Sequence, residues 1–166
     1  MKIDLLAIAA HPDDVELTCG GTVLKMAQEG YRTGILDLTK GETGTRGTPE
    51  IRLREAAHAA KILKVSVRRN LGLPDARLEM REDYKMAIAE VIRELQPKTV
   101  ILPYWEGRHP DHYNAAKLGY EACFVAGLSS EAATISAPNC PARLFFMHTS
   151  RGALPELYTP PPASSR

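Results

Sequence analysis

Short apolar runs alternate with helical segments along this chain, and that alternation narrows the fold more than any other feature. Ile3–Ala10, Arg32–Leu38, Val65–Leu71, Thr99–Leu102 and Arg143–His148 read as strands. The first is continuously apolar, as a strand covered on both faces must be. Between them, a segment from the turn at 11–14 to Glu29 reads as a helix that Gly30 closes. Gly20-Gly21 inside it fits either a close backbone approach or a break between two shorter helices. Thr48-Pro49 is a cap followed by Pro at the first helical position; it opens a helix to about Leu63 with Ile51, Ala56, Ala60 and Leu63 as its buried stripe. Asp83–Leu95 reads as a helix with Met86, Ile88, Val91, Ile92 and Leu95 as its apolar positions, and Tyr113 to Val125 forms a last helix before Gly127.

Strand and helix in strict alternation imply an α/β fold: a Rossmann-like, doubly wound, mostly parallel sheet with helices on both faces. In the order 3-2-1-4-5, strands 1 and 4 are neighbours. Their carboxyl ends flank the switch point where such sheets bind ligands. Residues 1–148 read as one domain. Ser129 to Pro141 is small and polar, and residues 149–166, with Pro160-Pro161-Pro162 and Ser164-Ser165, read as a disordered or irregular tail.

Composition sets limits on function. A formal net charge of +1 gives no electrostatic case for nucleic acid or an anionic membrane. The apolar runs fall short of the roughly 20 residues of a membrane span. Asp4 interrupts what would be a signal-peptide core, and Cys19, Cys123 and Cys140 form no CxxC pair, so reduced thiols and a cytoplasmic location are expected.

Two turns carry the chemistry. His11-Pro12-Asp13-Asp14 follows strand 1 and His109-Pro110-Asp111-His112 follows strand 4, so the topology brings them together. A hydrolytic zinc site needs three ligands from His and carboxylate, with one position open. His11, Asp14 and His112 make such a set. Asp13, diverging from Asp14, is placed to act as general base. His109 can donate to a developing oxyanion or protonate a departing amine, and Asp111 can orient a histidine. Glu16 is expected to bond loop amides. The blander reading of a single His-Pro-Asp turn is only a turn, since Pro and Asp both favour one; two at adjacent strand ends are harder to dismiss. His58 reads as a packed or surface histidine and His148 as structural, a pocket role being the alternative, and Arg68, Arg69 and the charges of 77–85 read as a solvated face. Tyr104 and Trp105 either line a sugar site or anchor a loop. There is no Gly-x-Ser-x-Gly elbow.

Ala10-His11-Pro12-Asp13-Asp14-Val15-Glu16, Gly20-Gly21-Thr22 and His109-Pro110-Asp111-His112 together resemble the PIG-L (LmbE-like) family of zinc-dependent N-acetylglucosaminyl deacetylases. Asp37 to Glu42, Gly44 to Glu50, Arg52 with Glu55-Ala56, Asn70 to Asp75, and Arg108 are similar to its bacillithiol-biosynthesis branch. The resemblance implies one Zn²⁺ per chain (Fe²⁺ or another divalent ion being the alternative) on His11, Asp14 and His112, Asp13 as base and His109 as its electrostatic or acid partner. It implies a GlcNAc conjugate as substrate, N-acetylglucosaminyl-malate first, and a homo-oligomer that is often a hexamer. Arg52 is similar to a substrate-site arginine of the family. Arg46 and Arg108 are the candidates for the malate carboxylates, since the guanidinium fork matches a carboxylate.

Family members continue past strand 5 with further strands and a helix; residues 129–166 do not resemble them, so the chain reads as a shortened form. Two other functions stay open: a non-catalytic zinc- or sugar-binding remnant, and an amidase of a related thiol conjugate.

Overall fold

The computed structural model describes residues 1–45, 47–128, 141 and 143–147. In chain order these form β1 (Leu5–Ala9), α1 (Asp14–Thr18), α2 (Gly20–Gln28), β2 (Thr33–Thr39), α3 (Pro49–Ile62) and β3 (Val67–Leu73), then α4 (Glu82–Leu95), β4 (Thr99–Pro103), α5 (Pro110–Ala126) and β5 (Arg143–Met147). The sheet order is β3-β2-β1-β4-β5, and every pairing is parallel. The fold is therefore the doubly wound α/β sheet expected from the alternation.

β1 lies at the centre, with Leu5 beside both Thr33 and Thr99. Its side chains alternate between two cores, as the period of a strand requires. Leu6 and Ile8 join Leu36, Leu102, Ile88, Ile92 and Leu118 beneath α4 and α5. Leu5, Ala7 and Ala9 join Ile35, Val15, Val23 and Leu63 beneath α1, α2 and α3. Burying a Leu or Ile in full is worth roughly 1.5–3 kcal/mol, so β1 is a firm anchor for whatever its carboxyl end carries. Gly119 lets α5 approach β4: a Cβ there would collide with Cδ2 of Leu102.

Several local expectations change. The segment after β1 is two helices, broken at Cys19 (φ −134°, ψ 13°). The last helix begins at Pro110, not Tyr113, because His109 caps it and Pro110 supplies a preset φ at the first position. Asp111 and His112 thus lie in its first turn. β3 runs two residues later than expected. In α3, Thr48 accepts the Ile51 N–H at 3.3 Å as anticipated, but the buried stripe is shorter: Ala56 and Leu63 are buried, whereas Ile51 is 36% exposed. α4 buries Ile88, Val91, Ile92 and Leu95 as its period predicts. Arg46, Cys140, His148, the tail and most of 129–142 lie outside the described residues. No helix among the described residues is long and apolar enough to cross a membrane.

Candidate active site

β1 and β4 end side by side, and the turns that follow them meet above the sheet. His11, just past β1, is buried, and its ring is fixed on both sides. Its backbone N–H donates to Asp14 Oδ2 at 2.9 Å, and its Nδ1 lies 3.2 Å from the same oxygen. Its Nε2 lies 3.0 Å from Asp75 Oδ1 and 3.5 Å from Asp111 Oδ2. The other oxygen of Asp14 lies 3.1 Å from His112 Nε2. One carboxylate therefore touches an imidazole from each turn. His109 completes the group: its ring stacks on His112 at 4.8 Å and meets His11 edge-on at 4.9 Å.

Ligand-type atoms of His11, Asp14 and His112 lie within 4.8 Å of one another, as do those of His11, His109 and Asp111. The two sets are not equivalent. Asp111 has other partners, accepting the N–H groups of Ala76 at 2.7 Å and Leu78 at 3.2 Å. It clamps the loop after β3 onto α5, and Asn114 assists by donating to the Leu78 carbonyl at 2.6 Å. Asp111 Oδ2 also lies 3.5 Å from His11 Nε2.

The field is strongly anionic. Burial disfavours a charged imidazole at His11, but the bond to Asp14 and the charges of Asp14, Asp75 and Asp111 push it up to about 9. Burial works against an ionised Asp14 too, yet His11 and His112 hold it well below the usual carboxylate range. His109 is pushed down, by burial first and then by its positive neighbours His11 and His112.

Two cavities meet at His109. One, of about 500 Å³, is lined by Asp14, Thr18, Tyr104, Arg108, His112 and Met147 among others. The other, about 270 Å³, is lined by His11, Asp13, Thr43, Gly44, Arg52 and Asp75 among others. Asp13 is exposed at the N-cap of α1 and makes no capping bond with its side chain. Arg52 and Arg108 thus serve different cavities. Arg52 lies close beneath the 41–44 loop, where a Cβ at Gly41, whose φ is +65°, would collide with its Nη1. The aromatic pair divides: Tyr104 lines the larger cavity, while Trp105 packs edge-on against Phe146 at 4.9 Å.

Three groups near the site were missed or misread from sequence. Asp75 was overlooked as a partner of His11; its place after a Gly-Leu-Pro turn gives no hint of a contact with residue 11. Arg68 is not on a solvated face. Its guanidinium is bidentate on Asp37 at 2.8 and 3.0 Å and also reaches Glu16 at 2.5 Å. Glu16 accordingly pairs with Arg68 rather than with loop amides.

A doubly wound sheet that gathers His and Asp side chains at its switch point defines an α/β protein with a candidate metal centre. The family is plain from comparison: the model of PIG-L, GlcNAc-PI de-N-acetylase, matches residues 6–123, and the chain belongs to that family. It is 36% identical over 135 residues to the diacetylchitobiose deacetylase of Thermococcus kodakarensis, covering 75% of this chain and 50% of that protein. It is 30% identical to the probable N-acetyl-alpha-D-glucosaminyl L-malate deacetylase 2 of Bacillus subtilis, covering 68% of this chain and 57% of that one. Among solved structures, the conserved protein TT1542 from Thermus thermophilus superposes with a TM-score of 0.85 at 44% identity, over 92% of this chain and 69% of that one. The chain spans about half the length of the Thermococcus protein.

Proposed function

We propose that this chain is a metal-dependent N-deacetylase of GlcNAc conjugates, with N-acetylglucosaminyl-malate as the substrate to test first and Zn²⁺ as the metal. The observation that carries the reading is the Asp14 carboxylate, placed between imidazole nitrogens of His11 and His112 and next to the unengaged carboxylate of Asp13.

The donor set fits zinc. Ligands about 2.0–2.1 Å from a tetrahedral ion stand roughly 3.3 Å from each other. Ligand atoms of His11, Asp14 and His112, one from each, lie within 4.8 Å of one another, so a small inward rotation of the side chains brings them to that spacing. Two imidazoles and a carboxylate also suit zinc in ligand type and leave one position open. His11, Asp14 and His112 would hold it, and there it would supply Lewis-acid polarisation of the acetyl carbonyl and an acidified water.

The chain's own groups do the rest. Asp13 accepts the proton of the attacking water. His109 Nδ1 accepts the Asp111 N–H at 3.3 Å, which leaves the Nε2–H free to donate to the oxyanion. The proton held by Asp13 passes to the amide nitrogen as the C–N bond breaks, and the amine and acetic acid leave, ionising to ammonium and acetate. Arg108 in the larger cavity is assigned to a malate carboxylate and Arg52 to the substrate from the other side. The bacillithiol branch is favoured by the Arg and Gly pattern of 41–52 and by the Bacillus relative. A homo-oligomer is part of the same reading, and Leu17, Ile62 and Phe124, exposed at 80%, 71% and 65%, provide apolar surface for it to cover.

The direct test is acetate release from N-acetylglucosaminyl-malate by zinc-loaded protein beside a chelated sample. Release that the chelator abolishes and zinc restores is expected. Zinc bound at one per chain without release would favour the non-catalytic alternative. The Arg108 assignment has its own test, since a charged hydrogen bond is worth about 1.5–3 kcal/mol. Arg108→Ala should cut kcat/KM for the malate conjugate by about tenfold or more and that for plain GlcNAc far less. Equal losses on both would sink the assignment.

A further inference from the structure

Asp75 is buried, and both of its oxygens are used. Oδ2 accepts the Thr43 N–H at 2.8 Å and the Thr43 hydroxyl at 2.6 Å. Oδ1 accepts the Ala76 N–H at 2.8 Å and faces His11 Nε2 at 3.0 Å. The turn that delivers it is itself held in place. Ala76 has φ +58°, a left-handed conformation that costs a non-glycine residue energy, and Asp111 and Asn114 of α5 grip that turn. Such a conformation persists only where the surroundings impose it, so Asp75 is held firmly against His11.

A neutral imidazole has one N–H and one bare nitrogen, and only the bare one can bind a metal. At His11 the two nitrogens face different carboxylates: Nδ1 faces Asp14, and Nε2 faces Asp75 at 3.0 Å, with Asp111 farther off at 3.5 Å and already holding two backbone N–H groups. We propose that Asp75 is a positioning residue for the metal centre: it accepts the Nε2–H of His11 and so leaves Nδ1, on the Asp14 side, as the ligating nitrogen. The inference rests on the ligand set of the preceding section. Its second oxygen ties Thr43, at the wall of the smaller cavity, to the same carboxylate. One side chain thus fixes both a metal ligand and the loop beside the substrate.

The chemistry of an amide in this place makes the test specific. In Asp75→Asn the new NH₂ would have to turn either toward His11 and Ala76 or toward Thr43. Toward His11, the NH₂ donates to Nε2 and forces the proton onto Nδ1, the wrong nitrogen for the metal. Toward Thr43, it meets an N–H donor. Loss of such an outer partner typically weakens metal binding about 10–100-fold.

The experiment uses the full chain loaded with zinc. Long-range ¹H–¹⁵N spectra of the wild-type imidazoles should show His11 protonated at Nε2, its signals assigned by their loss in His11→Asn. Zinc competition against a chromophoric chelator should give Asp75→Asn a Kd about 10–100-fold weaker, with a shifted visible band when Co²⁺ replaces zinc. Thr43→Val removes one donor from the other oxygen and leaves the His11 contact, so its zinc Kd should stay within about threefold of wild type. A His11 protonated at Nδ1 overturns the proposal. So does an Asp75→Asn that binds zinc as tightly as wild type, or a Thr43→Val that loses as much as Asp75→Asn. If Asp75→Asn does not fold, the wild-type spectrum alone decides. Wild-type protein without stoichiometric zinc, or His11→Ala that retains it, would instead overturn the ligand set, and this inference with it.

Discussion

Asp13→Ala is expected to keep one zinc per chain and to lower acetate release by about 10²–10⁴-fold, the span a well-placed general base contributes. The expectation follows from how neighbouring carboxylates diverge. Asp14 turns inward to His11 and His112 at 3.2 and 3.1 Å. Asp13, at the cap with φ −156° and ψ −14°, stays exposed at the edge of the smaller cavity. Removing it takes away a proton acceptor without removing a ligand. Asp13→Asn keeps the shape and should lose nearly as much, because an amide cannot take the proton. Metal content and acetate release measured on the same samples give the answer. Activity within a few-fold of wild type would remove Asp13 from the role of base, and loss of zinc would make it a ligand.

Arg68→Met is expected to cost about 3–5 kcal/mol of stability, the range for breaking a buried ion pair by deleting one partner. Arg68 links three elements: it bonds Asp37 of β2, Glu16 of α1 and, at 3.2 Å, the Ala56 carbonyl of α3. The Asp37 side chain is 2% exposed, so without Arg68 it is a buried carboxylate with no counter-ion. Burial already pushes the Asp37 carboxyl up to about 6 against the pull of Arg68. In the variant it must rise further. A carboxyl whose folded pKa lies above its unfolded value favours the fold at low pH and loses that contribution as pH rises through the folded pKa. The deficit of Arg68→Met should therefore be smallest near pH 4–5 and grow above about pH 6, as urea unfolding across pH would show. Adding Asp37→Leu should recover much of the loss, since an apolar pair can replace a buried ionic one. A deficit that does not change with pH would mean that packing, not charge, sets the cost.

Arg68 also shows where sequence reading reaches its limit. Arg68 and Arg69 are adjacent and look like one polar face. In a strand, adjacent side chains leave on opposite faces. Arg69 goes out to Glu94 of α4, while Arg68 goes under α1 and α3. An assumed face replaced the period-two geometry. By contrast, sheet order was legible because the alternation of elements and right-handed crossovers leave few options. The approach of His11, Asp14 and His112 was legible for the same reason, since the two turns end neighbouring strands. Asp75 was not legible. It belongs to a loop after an edge strand, and only the grip of Asp111 on Ala76 and Leu78, across 35 and 33 positions, brings it to His11. Contacts of that kind leave no periodicity to read. The helix start at Pro110 was misjudged because a His cap is a weaker signal than Ser, Thr, Asp or Asn.

His109 is the common wall of two hollows that both also draw on the 11–18 segment; residues between 103 and 112 with Met147 close one, and Thr43 to Thr45, Arg52 and Asp75 close the other. The loop at Thr43 is tied through Asp75 to His11, so a change there reaches an imidazole, whereas the stretch from Tyr104 to Arg108 lies outside that link. A scaffold with that arrangement would let the larger cavity change its fit while the smaller one stays coupled to the candidate metal centre.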